Sequence, residues 1–167
     1  YLDAYSNRGN LLQELKRFDE ALANYDQAIA NNPGYLDAYS NRGNLLQELK
    51  RFDEALANYD QALKINPGFI QALYNRGNTL KELKRFDEAL ASYNQALKIN
   101  PDYAEAYYNR GTILQEFKLL DEALASYNQA IAVNPDYAEA YYNRGVIFQG
   151  LKRFNEAVNG YAQAIRI

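Results

Sequence analysis

The chain has 167 residues, a net charge of −3 and a hydrophobic fraction of 48%. That is enough apolar matter for a packed core, with no basic patch of the kind that gathers nucleic-acid phosphates. Cys, His, Met and Trp are all absent, which excludes disulfides and thiolate or imidazole metal sites. No apolar run approaches the ~20 residues of a membrane span. No cofactor, nucleic acid or membrane partner is therefore expected. A Cys-free chain suits any redox compartment, of which the cytoplasm is the expected one.

Two helical patterns open the chain. The first runs from about Leu2 to Leu15, with Ala4, Tyr5, Leu11, Leu12 and Leu15 at helical spacing. The second runs from about Phe18 to Ala30. Asp19 and Glu20 in its first turn favour the helix dipole, and Ala21, Leu22, Tyr25, Ala28 and Ile29 form its apolar face. Asn-Pro-Gly at 32–34 stops it. Gly9 and Ala21 are expected to face each other across the hairpin, and Ala28 to face the following unit. The pattern then starts again. Asn-Arg-Gly recurs every 34 residues, from Asn7-Arg8-Gly9 to Asn143-Arg144-Gly145, and Pro33, Pro67, Pro101 and Pro135 keep the same period. Residues 1–28 are identical to residues 35–62, the mark of recent duplication or deliberate construction. Two short helices cannot bury their faces alone, so the units must stack.

In this period and register the chain resembles the tetratricopeptide repeat family. Gly9, Leu12, Ala21, Tyr25, Ala28 and Pro33 match the family pattern, and Tyr5 stands where Trp is common. The resemblance implies an all-α fold: a right-handed superhelical α-solenoid of antiparallel helix pairs. It further implies one array over residues 1–167, with units of about 2–34, 35–68, 69–102, 103–136 and 137–167. Because Tyr1 opens mid-pattern, the chain reads as an excerpt of a longer protein. Arg8 and its equivalents depart from the family, where Leu is usual. Their stems should pack while the guanidinium reaches an acceptor.

The resemblance also implies that the first helices line a concave groove. In the first unit that lining would be Asp3, Ser6, Asn7, Asn10, Gln13 and Glu14, whose spacing of three and four shares one helix face. Down the units this gives ladders of candidate peptide-binding residues. One is Asn7, Asn41, Asn75, Asn109 and Asn143, whose amides can match a peptide backbone. A second is Asp3, Asp37, Gln71, Glu105 and Glu139; a third begins Asn10, Asn44, Asn78 and ends in Thr112 and Val146. A fourth changes from Ser6 and Ser40 to Tyr74, Tyr108 and Tyr142. Asp-Ala-Tyr-Ser-Asn at 3–7 and 37–41 is similar to the repeats of O-linked N-acetylglucosamine transferases, in which Asn and Asp ladders hold extended substrates. A carboxylate clamp for chaperone C-termini is not expected, because its cations are missing.

The expected function is a protein–protein interaction module that binds an extended peptide or protein segment. The alternative is a self-associating scaffold without a specific peptide ligand. Catalysis is not expected: no His or Cys is present, and Ser6, Ser40, Ser92 and Ser126 carry no signature of an activating base. Three local expectations accompany these. Lys16, Lys50, Lys84, Lys118 and Lys152 stand where the family favours Gly and should take positive φ. Gly150 and Gly160 should weaken the last helices. Val158, Tyr161, Ile165 and Ile167 should remain uncovered and favour end-to-end packing between copies.

Overall fold

The computed structural model describes residues 2–167, and every regular element among them is an α-helix. The helices are α1 (Leu2–Glu14), α2 (Phe18–Asn31), α3 (Leu36–Glu48), α4 (Phe52–Ile65), α5 (Ile70–Glu82), α6 (Phe86–Ile99), α7 (Ala104–Glu116), α8 (Leu120–Val133), α9 (Ala138–Gly150) and α10 (Phe154–Arg166). α1 pairs with α2, α3 with α4, α7 with α8 and α9 with α10, each antiparallel pair closed by a three-residue connection such as Leu15–Arg17. The chain divides into two compact units, one ending at Ser92 and the other running from Tyr93 to Ile167.

The turn inside each pair is a Schellman cap built on lysine. Lys16, Lys50, Lys84, Lys118 and Lys152 have φ of 58°, 58°, 58°, 62° and 60°. With Lys16 left-handed, the Arg17 N–H reaches Leu12 O at 2.8 Å and the Lys16 N–H reaches Gln13 O at 2.9 Å, which satisfies two carbonyls at the helix end. Between pairs, the Asn before each proline folds an Asx turn. Asn32 Oδ1 accepts from the Gly34 N–H at 3.0 Å, and Asn134 Oδ1 from the Asp136 N–H at 3.1 Å. An aromatic or apolar residue then enters the next helix.

The second-helix tyrosine fills the space over the Asn-Arg-Gly glycine. A Cβ on Gly9 would lie 2.6 Å from the Tyr25 ring, and one on Gly43 2.6 Å from Tyr59. Ala21, expected to face Gly9 across the hairpin, is fully buried, and the Tyr25 ring is the nearest group to Gly9. The second-helix tyrosines Tyr25, Tyr59, Tyr93 and Tyr127 are the largest side chains with no exposure. Ala62 packs with Ala72 of the next pair, beside Phe69 and Leu36, as expected of the position that Ala28 occupies in the first pair.

In the first unit, burial follows stacking. Leu45 has no exposure and joins Leu12, Ala21 and Tyr25 in one apolar cluster. Of the residues expected to form the apolar face of α1, only Leu12 is buried; Tyr5, Leu11 and Leu15 are 37%, 59% and 66% exposed. In the second unit, Ile113, Tyr127 and Ala130 are buried, whereas α10 buries only Ala157 and Gly160. Gly150 has open space beside it, but Gly160 serves close approach: a Cβ there would lie 3.1 Å from Tyr141 O and 3.2 Å from Gly145 Cα. The expected weakness therefore applies to Gly150, while Gly160 is a packing residue.

Candidate functional site

Three of the Asn-Arg-Gly arginines, Arg42, Arg76 and Arg110, each join three helices. Arg76 donates through Nε to Asp60 at 2.7 Å, sixteen residues back, and through Nη1 to the Ser92 hydroxyl at 2.7 Å, sixteen residues on. Arg42 pairs with Asp26 at 2.8 Å and donates to Asn58 at 3.2 Å. In the second unit Arg110 reaches Asn94 and Ser126 at 3.2 and 3.0 Å. Arg144 reaches Asn128 at 2.7 Å, but Gly160 offers no side-chain acceptor and its Nε is left without a partner among the described residues. These guanidiniums stitch the packing and are not a ligand site. The acceptors could have been found in the sequence, since Asn24, Asn58, Ser92 and Ser126 share the same 34-residue period.

The first helices of successive pairs touch along the face expected to bind peptide. In the first unit Asn41 Nδ2 donates to the Ser6 hydroxyl at 3.3 Å, and Gln13 Nε2 donates to Glu48 at 2.7 Å. Asn75 Nδ2 donates to Asn44 Oδ1 at 2.6 Å, while its own Oδ1 accepts from Gln71 at 3.1 Å. Asn44 also accepts from the Tyr59 hydroxyl at 2.8 Å, and Gln47 accepts from Thr79 at 2.9 Å. Asn10 likewise receives the Tyr25 hydroxyl at 2.7 Å. Burial pushes the Tyr25 phenol up to about 12, and raises those of Tyr59 and Tyr127 as well. Asn44, Gln47, Glu48, Gln71 and Asn75 together line a polar concavity of about 360 Å³.

The asparagine ladder is thus uneven. Asn7 is exposed, Asn41 and Asn143 are half-buried, and Asn75 and Asn109 are each 8% exposed. Of the acidic ladder, Asp3, Asp37, Glu105 and Glu139 are all exposed, and Asp3 accepts from the Tyr35 hydroxyl at 2.9 Å. Asn10 is exposed, and Asn78 and Tyr74 are half-buried. In the second unit Tyr108 is held between Tyr137 and Tyr127, with ring centroids 5.0 and 5.9 Å away, and its hydroxyl accepts from Asn143 at 3.1 Å. Tyr142 is 55% exposed.

Models of the tetratricopeptide repeat match residues 2–35, 36–69, 58–91 and 138–167, and a TPR repeat model matches 77–116 and 120–152. The chain belongs to the tetratricopeptide repeat family. Solved structures agree with this assignment. The chain is similar to YrrB, described as a TPR protein with an unusual peptide-binding site, at 28% identity and a TM-score of 0.78 over 97% of this chain and 84% of that one. It is also similar to pilF of Pseudomonas aeruginosa, at 19% identity and a TM-score of 0.91 over 99% of this chain and 75% of that one. A MamA fragment from Desulfovibrio magneticus RS-1 is similar at 19% identity, with a TM-score of 0.87 over 99% and 93%. No curated protein matches the chain. Among the described residues no helix is long and apolar enough to cross a membrane, and no cluster of acidic residues could hold a metal ion.

Proposed function

We propose that this tetratricopeptide array binds an extended peptide or protein segment along the polar face shared by α1, α3 and α5. The observation that supports this is the polar concavity lined by Asn44, Gln47, Glu48, Gln71 and Asn75. It lies on the face where the Asn ladder and the Asp3, Asp37 and Gln71 ladder run. Amides there offer both a donor and an acceptor to a backbone. YrrB, with its peptide-binding site, lends the reading support by likeness. Asn7, Asn41, Asn10 and Asn78 extend the same face, and Asp3 and Asp37 give it a preference for basic or hydroxyl-bearing segments. In the second unit Asn109, Asn143, Glu105 and Glu139, with Tyr108 and Tyr142, would offer a more aromatic surface. Because Asn75 and Asn109 are mostly buried, they act mainly by holding exposed neighbours in place.

The test begins with a peptide selected from a displayed random library against the whole chain. Its affinity is then measured for Glu48→Ala/Gln71→Ala, two exposed positions. Each lost contact should cost about 0.5–1.5 kcal/mol, so a drop of about tenfold is expected with little change in thermal midpoint. Unchanged affinity would remove this face from the mechanism.

A further inference from the structure

Asn44 and Gln47 stand one turn apart on α3, both half-buried and both lining the polar concavity. Their amides are not free to turn either end outward. Asn44 Oδ1 accepts from the Tyr59 hydroxyl at 2.8 Å and from Asn75 Nδ2 at 2.6 Å. Gln47 Oε1 accepts from the Thr79 hydroxyl at 2.9 Å and lies 3.2 Å from the Tyr59 hydroxyl. Tyr59 and Thr79 have no exposure. Turning either amide over would leave a buried hydroxyl proton facing an NH2 group, and at Asn44 it would also set two NH2 groups against each other. The oxygen ends are therefore held inward. The NH2 ends of Asn44 and Gln47 donate to no other residue among those described.

The same lock recurs along the chain. Tyr25 donates to Asn10 Oδ1 at 2.7 Å and lies 3.3 Å from Gln13 Oε1. Tyr127 and Tyr161 donate to Gln115 and Gln149 at 2.8 and 2.6 Å. Gln13 shows what the outward end of such an amide does: its Nε2 donates to the Glu48 carboxylate at 2.7 Å.

We infer that Asn44 and Gln47 act in this concavity as donors only, that Tyr59 is the positioning residue that holds them so, and that they read the carbonyl oxygens of a bound extended segment. The inference rests on the proposed peptide-binding face and narrows it, since an unlocked amide would serve N–H and C=O alike. Side chains at i and i+3 stand about 5–6 Å apart on a helix. Two residues of an extended chain rise about 6.6 Å, so alternate carbonyls come within reach of the pair. The Glu48 carboxylate lines the same concavity and repels an anionic acceptor. A neutral carbonyl is the acceptor that fits.

The experiment uses the whole chain and the library-selected peptide in two series. One carries a single thioamide at each position in turn, which weakens a carbonyl acceptor. The other carries a single N-methyl group in turn, which removes a donor. Thioamides at one or two positions should lower affinity about three- to tenfold, and that loss should vanish in Asn44→Ala/Gln47→Ala. Gln47→Glu, which keeps the inward acceptor but has no donor, is the second variant should the first disturb the fold, and it should abolish the loss at one position. In Tyr59→Phe, whose helicity circular dichroism reports, the amides are released and the thioamide losses should shrink. An unchanged ratio of oxo to thio affinity in Tyr59→Phe would overturn its positioning role. Thioamide losses that persist in the amide variants, or N-methyl losses that vanish in them, would overturn the donor-only assignment. Glu48→Ala/Gln71→Ala separates the two readings: weakened binding there with the overturning pattern removes this assignment alone, whereas unchanged affinity removes the face and the assignment with it.

Discussion

Leu11 and Leu45 hold the same place in two identical 28-residue segments, yet Leu11 is 59% exposed and Leu45 has no exposure. The difference is what lies in front: Leu45 packs against Leu12, Ala21 and Tyr25 of the preceding pair. Leu45→Ala should therefore cost about 2–5 kcal/mol, the range for a buried leucine. Leu11→Ala should stay within about 0.5 kcal/mol. Chemical denaturation of the two variants reads the contrast directly; equal costs would show that neighbouring pairs contribute little to each other's core.

Replacing a left-handed lysine with glycine should stabilise. At φ 58°, Lys84 carries the Cβ strain that glycine lacks. Lys84→Gly should raise stability by about 1 kcal/mol, part of it offset by the freer unfolded chain. Lys84→Pro serves as the opposite control, since proline cannot adopt this φ. The thermal midpoints should move in opposite directions.

Two glycines should respond oppositely to alanine. Gly43→Ala would place a methyl group 2.6 Å from the buried Tyr59 ring, and such overpacking costs about 1–3 kcal/mol. Gly150→Ala meets nothing within 4 Å and lies in a helix, so it should gain up to about 1 kcal/mol. Urea midpoints are the measurement.

Stability should fall steeply in alkali. An unfolded tyrosine titrates near pH 10, whereas burial holds Tyr25 up to about 12 and raises Tyr59 and Tyr127. Below about pH 10 both states keep the proton and the contribution is whole. As pH rises from there toward about 12, the unfolded chain releases protons that the folded chain retains, and stability is lost. Thermal melts across this range should show a falling midpoint, with phenolate absorbance appearing together with unfolding. Substituting Phe for Tyr25 and Tyr59 should flatten the slope.

Much of the fold was legible because a 34-residue period repeats each local signal four or five times. Helix bounds and the Pro stops follow from chain-local chemistry, which a sequence displays, while the left-handed lysines were legible only through the family's preference for Gly at that position. Contacts between helices were harder. Nothing within α1 distinguishes Gly9 facing Ala21 from Gly9 facing Tyr25, because both lie on the same stripe of α2. The candidate site divides in the same way. The spacing of Asn7, Asn41 and Asn75 placed them on one face, but not their decreasing exposure, which depends on Ser6 and Asn44 in the preceding helices.

The arginine stitches bear on how such a chain can change length. Arg42, Arg76 and Arg110 have acceptors sixteen residues to either side, so excising a whole period between them rejoins an arginine to a neighbour of the same kind. Removing residues 35–68 would set Asp26 where Asp60 now meets Arg76; removing 69–102 would give Arg110 the carboxylate of Asp60 in place of the Asn94 amide. A cut of any other length would strand the guanidinium against an unmatched side chain. Copy number can thus drift in whole periods without disturbing the seams, whereas partial losses are disfavoured by electrostatics before any ligand is involved.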